Sequence, residues 1–400
     1  MQYYYHDQNN RLVIPNAGVL NPLTRTVRAY DVEIFQGKIS ALRPTPKEDC
    51  YLTPGFINTH VHFTMQGGLK LSEAKNLLQN SPQQALELAI SHAKKTLAAG
   101  ITTVVDKGPP GVLNTINFYN EFSKYDPNKV PTTLYSNYTL SYKGAAFADE
   151  YTKMIASASE LEETLQTMYA NGSKIIKIIP ETELEAENQY IWVLPEEFLE
   201  QISNFASKHK MLTAMHGKGS KAIDMAIKYK INHVEHALQA SDAQLKELQS
   251  NKTSIDITLE GFARRLQAAK LFPTKSLAYH EYEWEQARNL FHRLCSLNQG
   301  KAYHYLNFAS DAGSHNTPHA SLEELTIMKQ LGLEAWEVLR AATINGATSL
   351  NLQHEIGVID VHFNADLILW NKNPLEVLDH DPTTLAQHIA NVIKNGNPLW

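Results

Sequence analysis

An apolar run over residues 51–63 contains His60-Val61-His62 near its end and constrains this chain more than any other stretch. Successive side chains of a β-strand point to opposite faces, so His60 and His62 lie on one face, two positions apart. Two imidazoles side by side at the end of a buried strand suit one divalent metal ion. Two of 17 histidines can also fall close together by chance, because this spacing alone is a weak motif. The pattern therefore predicts a metal site if further ligands follow at the ends of later strands.

Composition excludes several classes of protein. The chain has 400 residues, is 43% hydrophobic and 20% charged, and carries a net charge of −6 without a basic run, so we expect no nucleic acid partner. Two cysteines, Cys50 and Cys295, do not make a disulfide framework and fit a reducing compartment. The amino terminus has no apolar core of signal-peptide length, and no stretch approaches the roughly 20 apolar residues that span a bilayer. These features predict a cytoplasmic protein without a membrane partner, with a periplasmic location left open.

The two ends of the chain carry short strand patterns. Residues 31–35 alternate, Gln36-Gly37 supplies a turn, and residues 38–42 alternate again, which predicts a hairpin. An isolated hairpin is at best marginally stable, so it needs partner strands. Further strand patterns occur at 358–360, 365–370 and 391–396. We therefore expect residues 1–50 and 357–400 to meet in one small β-sandwich domain.

Between these ends, apolar strands alternate with helical patterns, which predicts an α/β fold. The strands fall at residues 51–59, 101–106, about 133–138, 174–179, 211–215, 231–235, 253–257 and 305–309. The helices fall at residues 82–98, 158–171, 195–209, 218–229 and 241–250, with a long helical insert over 259–304. Eight strands, each followed by a helix, favour a parallel (β/α)8 barrel over residues 51–356. A doubly wound open sheet is the competing fold, but no glycine-rich phosphate loop follows the first strand.

Candidate ligands occur at the predicted strand ends. The active site of a (β/α)8 barrel lies at the carboxyl ends of its strands. The residues found there are His60 and His62 on strand one, Lys177 on strand four, His216 on strand five, His236 on strand six and Asp311 after strand eight. A single histidine at a strand end is more often a structural residue than a ligand. Convergence of all six residues from different strands predicts a functional centre.

Several longer segments resemble a known family. The chain is similar to the metal-dependent amidohydrolases, and within them it is nearest to the prolidase-like and imidazolonepropionase-related groups. The resemblance rests on PGFINTHVH at 54–62, AGITTVVD at 99–106, GSKIIK at 172–177, VEHA at 234–237, SDAG at 310–313, AATINGA at 341–347 and NADLIL at 364–369. These segments follow the family's order over nearly the whole chain. They depart from it at Asn58, where the family usually has aspartate, and in Val105-Asp106-Lys107, where an arginine often precedes the aspartate.

The resemblance implies a ligand set for two divalent metal ions. Zinc fits ligands rich in nitrogen best, and manganese and iron are the alternatives. The expected ligands are His60, His62 and Asp311 for one ion, and His216 and His236 for the other. Lys177, carboxylated to a carbamate, would bridge the two ions. Lys174 is the rival for this bridge, but it lies three residues earlier and faces the opposite side of the strand. If Lys177 is not carboxylated, one metal ion is expected instead of two.

Ligands of these types predict hydrolysis of a carbon–nitrogen bond. Divalent ions lower the pKa of a bound water toward neutrality and polarise a substrate carbonyl. Asp311 would take the proton of the attacking hydroxide and pass it to the leaving nitrogen. Asp311 could instead be a structural residue, because Ser-Asp-Ala-Gly is also a turn sequence. We expect an amide-type substrate such as a dipeptide, an N-acyl amino acid or a cyclic amide.

Two other function classes remain open from the sequence. A mononuclear deaminase or cyclic-amidine hydrolase of the imidazolonepropionase type would not need Lys177. A barrel without catalysis could serve as a binding protein, although the complete ligand set argues against this. Metal stoichiometry separates the binuclear hydrolase from the mononuclear enzyme.

Loops after the strands determine the substrate, and here the sequence is less informative. Residues that could bind a substrate carboxylate or line the pocket are Tyr138, Tyr142, Lys143, Arg264, Arg265 and His319. Taken singly, each is more often a solvated, ion-paired or helix-capping residue. The insert over 259–304 is either a lid or a contact in a homo-oligomer.

Overall fold

The computed structural model describes residues 3–67, 82–108, 115–145, 152–271, 276–298, 305–314 and 317–400. In chain order, its strands are Tyr5–His6 (β1), Leu12–Asn21 (β2), Thr26–Phe35 (β3), Lys38–Pro44 (β4), Cys50–Pro54 (β5), Phe56–Val61 (β6), Ile101–Asp106 (β7), Thr132–Tyr135 (β8), Thr139–Ser141 (β9), Lys153–Met154 (β10), Ile175–Ile179 (β11), Glu181–Leu184 (β12), Gln189–Trp192 (β13), Leu212–Gly217 (β14), His233–His236 (β15), Ser254–Asp256 (β16), Leu367–Trp370 (β17), Ile389–Lys394 (β18) and Asn397–Pro398 (β19).

The α-helices are Pro82–Ala98 (α1), Thr115–Phe122 (α2), Ala158–Ala170 (α3), Glu196–His209 (α4), Ser220–Lys228 (α5), Asp242–Ser250 (α6), Leu259–Leu271 (α7), Leu277–Leu297 (α8), Glu323–Gln330 (α9), Ala335–Arg340 (α10), Gly346–Ser349 (α11) and Pro374–His380 (α12). A π-helical segment, Ala341–Asn345, joins α10 to α11, and 3₁₀ turns occupy Glu185–Glu187 and Pro382–His388.

The five helices predicted between 82 and 250 are confirmed within two residues at each end, as α1 and α3 to α6. Local signals explain this agreement. Gly100, with φ of 84°, follows α1, and Ser241 and Gln244 form a capping box at the start of α6. The insert contains α7 and α8, while residues 272–275 and 299–304 lie outside the described part of the chain. No described helix is long and apolar enough to cross a membrane.

The two ends of the chain meet in one eight-stranded sheet. Its strand order is β19-β18-β17-β5-β2-β3-β4, with β1 paired to β2. Apolar side chains of these strands, among them Ile14, Val32, Leu52 and Leu367, are buried in a core of their own. We expected a β-sandwich, but hydrogen bonds join all these strands into a single sheet. The difference arises because alternation predicts strands without predicting which of their edges pair.

The strand predicted over residues 51–59 is in fact two strands. Residues 50–54 form β5, which pairs parallel with β2 and antiparallel with β17. Residues 56–61 form β6, which pairs parallel with β7. Gly55 lies between them, and a Cβ atom there would collide with the Thr102 side chain. The chain therefore passes from one sheet to the other at Gly55. The division of the chain into domains at 1–50, 51–356 and 357–400 stays a prediction.

The middle of the chain forms two parallel sheets. One sheet has the order β6-β7-β8, and the other has the order β10-β9-β11-β14-β15-β16. An antiparallel hairpin of β12 and β13 follows β11 and stands apart from both sheets. The carboxyl ends of the parallel strands face one side, because parallel strands run in the same direction. This is the side on which the predicted site residues lie.

Backbone hydrogen bonds connect the two parallel sheets. The Lys174 N–H donates to the Tyr135 carbonyl at 3.1 Å, which links β11 to β8. On the other side, Leu306 forms a parallel bridge to β16 and Ala312 forms a parallel bridge to β6. The segment predicted as a strand at 305–309 forms the Leu306 bridge, and its Phe308 carbonyl accepts from the Thr59 N–H of β6 at 3.0 Å. These connections are consistent with the predicted barrel.

Lys394 joins the terminal sheet to the parallel strands. Its Nζ donates to Asp366 Oδ2 at 2.6 Å and to Thr132 Oγ1 at 2.8 Å. Both charged side chains are buried, so their desolvation is offset only while they remain paired. Thr132 begins β8, whereas Lys394 ends β18. The ion pair lies within the terminal sheet and holds the Lys394 ammonium where it donates to Thr132 of the parallel strands.

Lys394→Met should destabilise the protein by roughly 3–5 kcal/mol, because it leaves the Asp366 carboxylate buried without its cation. The measurement is the denaturation midpoint in urea. The matched control is Lys47→Met, which breaks an exposed pair with Asp49 and should cost roughly 0–1 kcal/mol. Equal shifts of the midpoint for the two substitutions would show that the buried ion pair does not stabilise the protein.

Candidate active site

Three potential ligand atoms converge at the end of β6. The Nε2 atoms of His60 and His62 lie 3.3 Å apart. Asp311 Oδ1 lies 3.3 Å from each of these nitrogens, and all three atoms are within 4.8 Å of one another. His62 donates its other ring nitrogen, Nδ1, to the Gly108 carbonyl at 2.9 Å. The structure therefore brings together His60, His62 and Asp311, the set predicted for the first metal ion.

Asn58 ties the two ligand-bearing segments together. Its Oδ1 accepts from the backbone N–H of His60 at 3.1 Å and from that of Ser310 at 3.2 Å. Its Nδ2 donates to Ser310 Oγ at 2.7 Å. An amide makes all three bonds because it has both an acceptor oxygen and a donor nitrogen. The residue that departs from the family pattern thus positions His60 and the residue before Asp311.

The charges at this group suit a metal ion. Burial opposes ionisation of Asp311, but His60 and His62 outweigh it and hold the pKa of the carboxyl well below its usual range. Burial lowers the pKa of His60 well below its usual range, against the attraction of Asp311. A metal ion binds the neutral imidazole and the ionised carboxylate. Two nitrogens and one oxygen at this spacing therefore fit a divalent ion of the zinc type.

His216 and His236 lie beside this group, each with one ring nitrogen engaged. Their ring centroids are 4.7 Å apart, and the ring of His236 lies 6.1 Å from that of His60. Thr258 donates its hydroxyl to a backbone carbonyl, so its Oγ1 accepts from His236 Nδ1 at 2.8 Å. His216 Nε2 lies 3.2 Å from Glu183 Oε1 and donates to it. The second nitrogen of each ring is left for another ligand.

Lys177, but not Lys174, reaches the interior. Lys174 is exposed, whereas Lys177 is buried and its ammonium contacts the carboxylate of Glu235. Lys107 Nζ lies 3.2 Å from the same carboxylate. Burial, with Lys107 nearby, lowers the pKa of Lys177 well below its usual range. A lysine whose amine loses its proton easily has the form that can react with carbon dioxide.

A polar network lies beneath these residues. Asp256 accepts from Thr59 Oγ1 at 3.0 Å, and its other oxygen lies 3.4 Å from His233 Nδ1 and 3.6 Å from Lys107 Nζ. Burial lowers the pKa of Lys107 to about 8, against the attraction of Asp256. Lys107 thus connects Asp256 to the carboxylate of Glu235. This network holds the residues below the predicted metal ligands in fixed positions.

The two arginines predicted to bind substrate differ in their surroundings. Arg264 donates to Glu260 Oε1 at 2.7 Å and is ion-paired at the surface of α7. Arg265 has an 11% exposed side chain that packs over the Phe262 ring, 4.5 Å from its centroid. Its nearest carboxylate oxygen, on Glu283, lies 3.7 Å away, beyond hydrogen-bond distance. Arg265 Nε donates to the Gly261 carbonyl at 3.4 Å, and of the two arginines it has the fewer hydrogen bonds to carboxylates among the described residues.

The other predicted substrate residues lie at different depths. Tyr138 and Tyr142 are half-buried and Lys143 is exposed, next to β9. His319 is buried, and its Nε2 donates to the Met65 carbonyl at 2.6 Å, in the segment that follows β6. A role for any of these residues in substrate binding stays a prediction.

Sequence reasoning missed four charged residues of the site. Lys107 and Glu235 could have been recognised from the sequence, because a charged residue within or directly after an apolar strand must find a buried partner. Glu183 and Lys218 carried no clear signal. Glu183 lies in the hairpin of β12 and β13, which the sequence did not predict, and Lys218 follows β14 directly.

Comparisons with known proteins agree with this arrangement. A model of the amidohydrolase family matches residues 51–399. The imidazolonepropionase of Vibrio parahaemolyticus is 24% identical over 360 residues, which make up 80% of this chain and 76% of that protein.

Solved structures give the same result for the fold. A Xaa-Pro dipeptidase with bound methionine superposes with a TM-score of 0.78 at 20% identity, over 96% of this chain and 98% of that one. A prolidase complexed with N-methylphosphonate-L-proline gives a TM-score of 0.79 at 18% identity, again over 96% and 98% of the two chains. At these identities the likeness shows the fold and not the substrate.

Proposed function

We propose a substrate class and a mechanism on the premise that this chain belongs to the amidohydrolase family and is a hydrolase of carbon–nitrogen bonds. The substrate is a small amide that carries a carboxylate, such as a dipeptide or an N-acyl amino acid. Two divalent metal ions, zinc by preference, serve as cofactors. The observation that carries this proposal is the convergence of His60, His62 and Asp311 on one point, with 3.3 Å between each pair of ligand atoms.

We infer that the two parallel sheets are parts of one (β/α)8 barrel. The hydrogen bond from Lys174 to Tyr135 and the bridges of Leu306 and Ala312 support closure of the ring. In such a barrel the carboxyl ends of the strands form the active site. The proposed ligands all come from these ends. A cytoplasmic location belongs to the same proposal, and both cysteines are free.

In the proposed centre, each group of ligands has a separate task. The ligands are His60, His62 and Asp311 for one ion, His216 and His236 for the other, and Lys177 as a bridging carbamate. The ions, when bound, would activate a water molecule and polarise the substrate carbonyl. The hydrogen bonds of His216 and His236 to neighbouring side chains fix which ring nitrogen faces the centre. Conversion of Lys177 to an anionic carbamate would break its contact with Glu235, because both groups would be negative. The Glu235 carboxylate would keep its contact with Lys107.

Asp311 would act as the proton carrier. Its low pKa keeps the carboxylate ionised at neutral pH, the form that accepts a proton. Its side chain is 13% exposed, so a water molecule can reach it. Asp311 would take a proton from the attacking water and deliver it to the nitrogen of the leaving group.

Arg265 would bind the substrate carboxylate. Its Nε donates to the Gly261 carbonyl at 3.4 Å, and a Cβ atom at Gly261 would lie 4.0 Å from the Asp311 Cβ atom. It is therefore close enough to the catalytic centre to meet a bound substrate. A guanidinium forms two parallel hydrogen bonds to a carboxylate, which sets the orientation of the amide.

Arg265→Met should lower kcat/KM roughly 10- to 100-fold, mainly through KM, because a hydrogen bond to a charged group contributes about 1.5–3 kcal/mol. The measurement compares a carboxylate substrate with the same compound capped as a primary amide. The wild type should prefer the free carboxylate and the variant should not. Arg264→Met is the matched control and should leave kcat/KM nearly unchanged. A variant that keeps the full preference would exclude Arg265 as the carboxylate ligand.

A mononuclear hydrolase of cyclic amides is the second candidate. One observation favours it: the ammonium of Lys177 is paired with Glu235, and in that state it does not bridge two ions. The similarity to an imidazolonepropionase supports the same candidate. One ion held by His60, His62 and Asp311 would then suffice.

The test is a screen of dipeptides, N-acyl amino acids and cyclic amides, each incubated with the zinc-loaded protein and with protein stripped by a chelator. Hydrolysis of dipeptides or N-acyl amino acids by the zinc-loaded protein alone supports the proposal. Activity confined to cyclic amides supports the second candidate. Equal hydrolysis after complete removal of metal would overturn both.

The insert over residues 259–304 contributes side chains to the site. The helices α7 and α8 supply Arg265, Tyr279 and Glu283 to the wall of the site. Its role as a lid, or as a contact in a homo-oligomer, stays a prediction.

A further inference from the structure

We propose that Glu183, on the hairpin after β11, is a positioning residue that fixes His216 for the second metal ion, and that Lys218 and Glu283 hold Glu183 in place. This inference rests on the proposed function, because it assumes that His216 is a metal ligand. It goes beyond the proposed function because it states that residues that do not bind the metal themselves determine the affinity for one of the two ions.

The hairpin places Glu183 directly over His216. Strands β12 and β13 pair antiparallel, with Glu183 opposite Tyr190. Glu183 Oε1 lies 3.2 Å from His216 Nε2, whereas Glu181 Oε1 lies 3.9 Å from the same nitrogen and accepts instead from the Lys218 backbone N–H at 2.6 Å. Of the two carboxylates, Glu183 alone has hydrogen-bond geometry to the imidazole.

Three donors hold the Glu183 carboxylate, two from the end of β14 and one from α8. Besides His216, Lys218 Nζ donates to Oε1 at 2.7 Å, and the Tyr279 hydroxyl donates to Oε2 at 2.7 Å. Lys218 is almost fully buried and its Nζ also donates to Glu283 Oε1 at 2.7 Å. Lys218 follows β14, while Tyr279 and Glu283 belong to α8. The position of Glu183 is therefore determined from both the strand and the insert.

This arrangement has a direct consequence for the imidazole. An ionised carboxylate only accepts hydrogen bonds, so His216 must carry its proton on Nε2. The lone pair then lies on Nδ1, which becomes the nitrogen available to a metal ion. A carboxylate on the far nitrogen also raises the basicity of the ring and fixes its orientation. His216 is thus prepared as a ligand before any metal ion arrives.

A purely structural role for Glu183 makes a different prediction. The Glu183, Lys218 and Glu283 side chains could serve only to attach the hairpin to α8. Loss of one charge would then lower the stability of the protein but would leave the affinity for metal unchanged in the molecules that remain folded. Metal affinity, measured separately from stability, therefore distinguishes the two roles.

The experiment is a titration of the full, metal-free protein with zinc against a chelating dye, in bicarbonate buffer. Glu183→Gln should weaken one of two zinc ions roughly 10- to 100-fold and leave the other unchanged. The matched control is Glu196→Gln, which removes a carboxylate paired with Lys228 on the protein surface and should leave both affinities at the wild-type values.

A second variant keeps the proposal testable if Glu183→Gln folds poorly. Tyr279→Phe removes one hydrogen bond to Glu183 without changing a charge, and should weaken the same zinc ion by a smaller factor. Wild-type affinity for both ions in the folded Glu183→Gln and Tyr279→Phe proteins would overturn the inference while leaving the proposed function intact. Failure of the wild type to bind a second ion would overturn the binuclear centre and the inference with it.

Discussion

Asp311→Asn protein should retain most of its bound metal and lose turnover by several orders of magnitude. Proton transfer by a positioned carboxylate contributes roughly 10²–10⁴-fold, and a misplaced water adds to the loss. Asparagine keeps an oxygen where Asp311 Oδ1 now lies, 3.3 Å from the two imidazole nitrogens, so the ligand position is preserved. It cannot accept the proton of the attacking water, because its amide oxygen is a far weaker base than a carboxylate.

The measurement pairs single-turnover kinetics with metal analysis of the same sample. Asp366→Asn is unsuitable as a control, because Asp366 forms a buried ion pair with Lys394. Asp379→Asn serves better, since this exposed residue only pairs with Lys329 and should leave turnover unchanged. Near-native turnover of Asp311→Asn on any identified substrate would exclude Asp311 from the mechanism.

Lys177→Ala should lower bound zinc from about two ions per chain to one or none. The ammonium of Lys177 cannot remain beside two divalent ions, because the repulsion between like charges at such a distance is strong. Its burial and the nearby ammonium of Lys107 already disfavour the protonated form. A neutral amine can take up carbon dioxide, and the carbamate that results is an anion with two oxygens for two ions. Alanine offers no ligand at this position.

Lys174→Ala is the matched control, since Lys174 directly precedes the strand of Lys177 but is exposed, and the variant should bind zinc as the wild type does. Short carboxylates added to Lys177→Ala should restore part of the activity by occupying the vacated space. Circular dichroism must show that the variant is folded, because Glu235 loses its contact with Lys177. Unchanged zinc content in folded Lys177→Ala would rule out the bridge.

Sequence reasoning succeeded where the signal was local. The ends of the five helices between residues 82 and 250 were predicted within two residues, and the resemblance to metal-dependent amidohydrolases is confirmed by the family match over residues 51–399. His60, His62 and Asp311 were also predicted as neighbours, because the ends of parallel strands gather on one side of a barrel. The assignment of individual roles to these residues remains a proposal.

Sequence reasoning failed where the structure depends on a contact between residues that are far apart in the sequence. The run 51–59 looked like one strand, and its division at Gly55 depends on pairing with β17, more than 300 residues away. Glu183 was overlooked because its role depends on contacts with His216 and with Tyr279, which is 96 positions later in the chain. Asn58 looked like a lost acidic residue, although its amide bonds to the residue before Asp311. No local pattern encodes such pairings.

Zinc titration of metal-free protein with activity measured at each step tests the central claim most directly. The substrate is the best dipeptide or N-acyl amino acid from the screen, and the buffer contains bicarbonate so that Lys177 can be carboxylated. The account predicts no hydrolysis without metal and a rise to a plateau at about two equivalents of zinc per chain. A plateau at about one equivalent would contradict the binuclear centre, and full activity in the metal-free protein would contradict metal-dependent hydrolysis altogether.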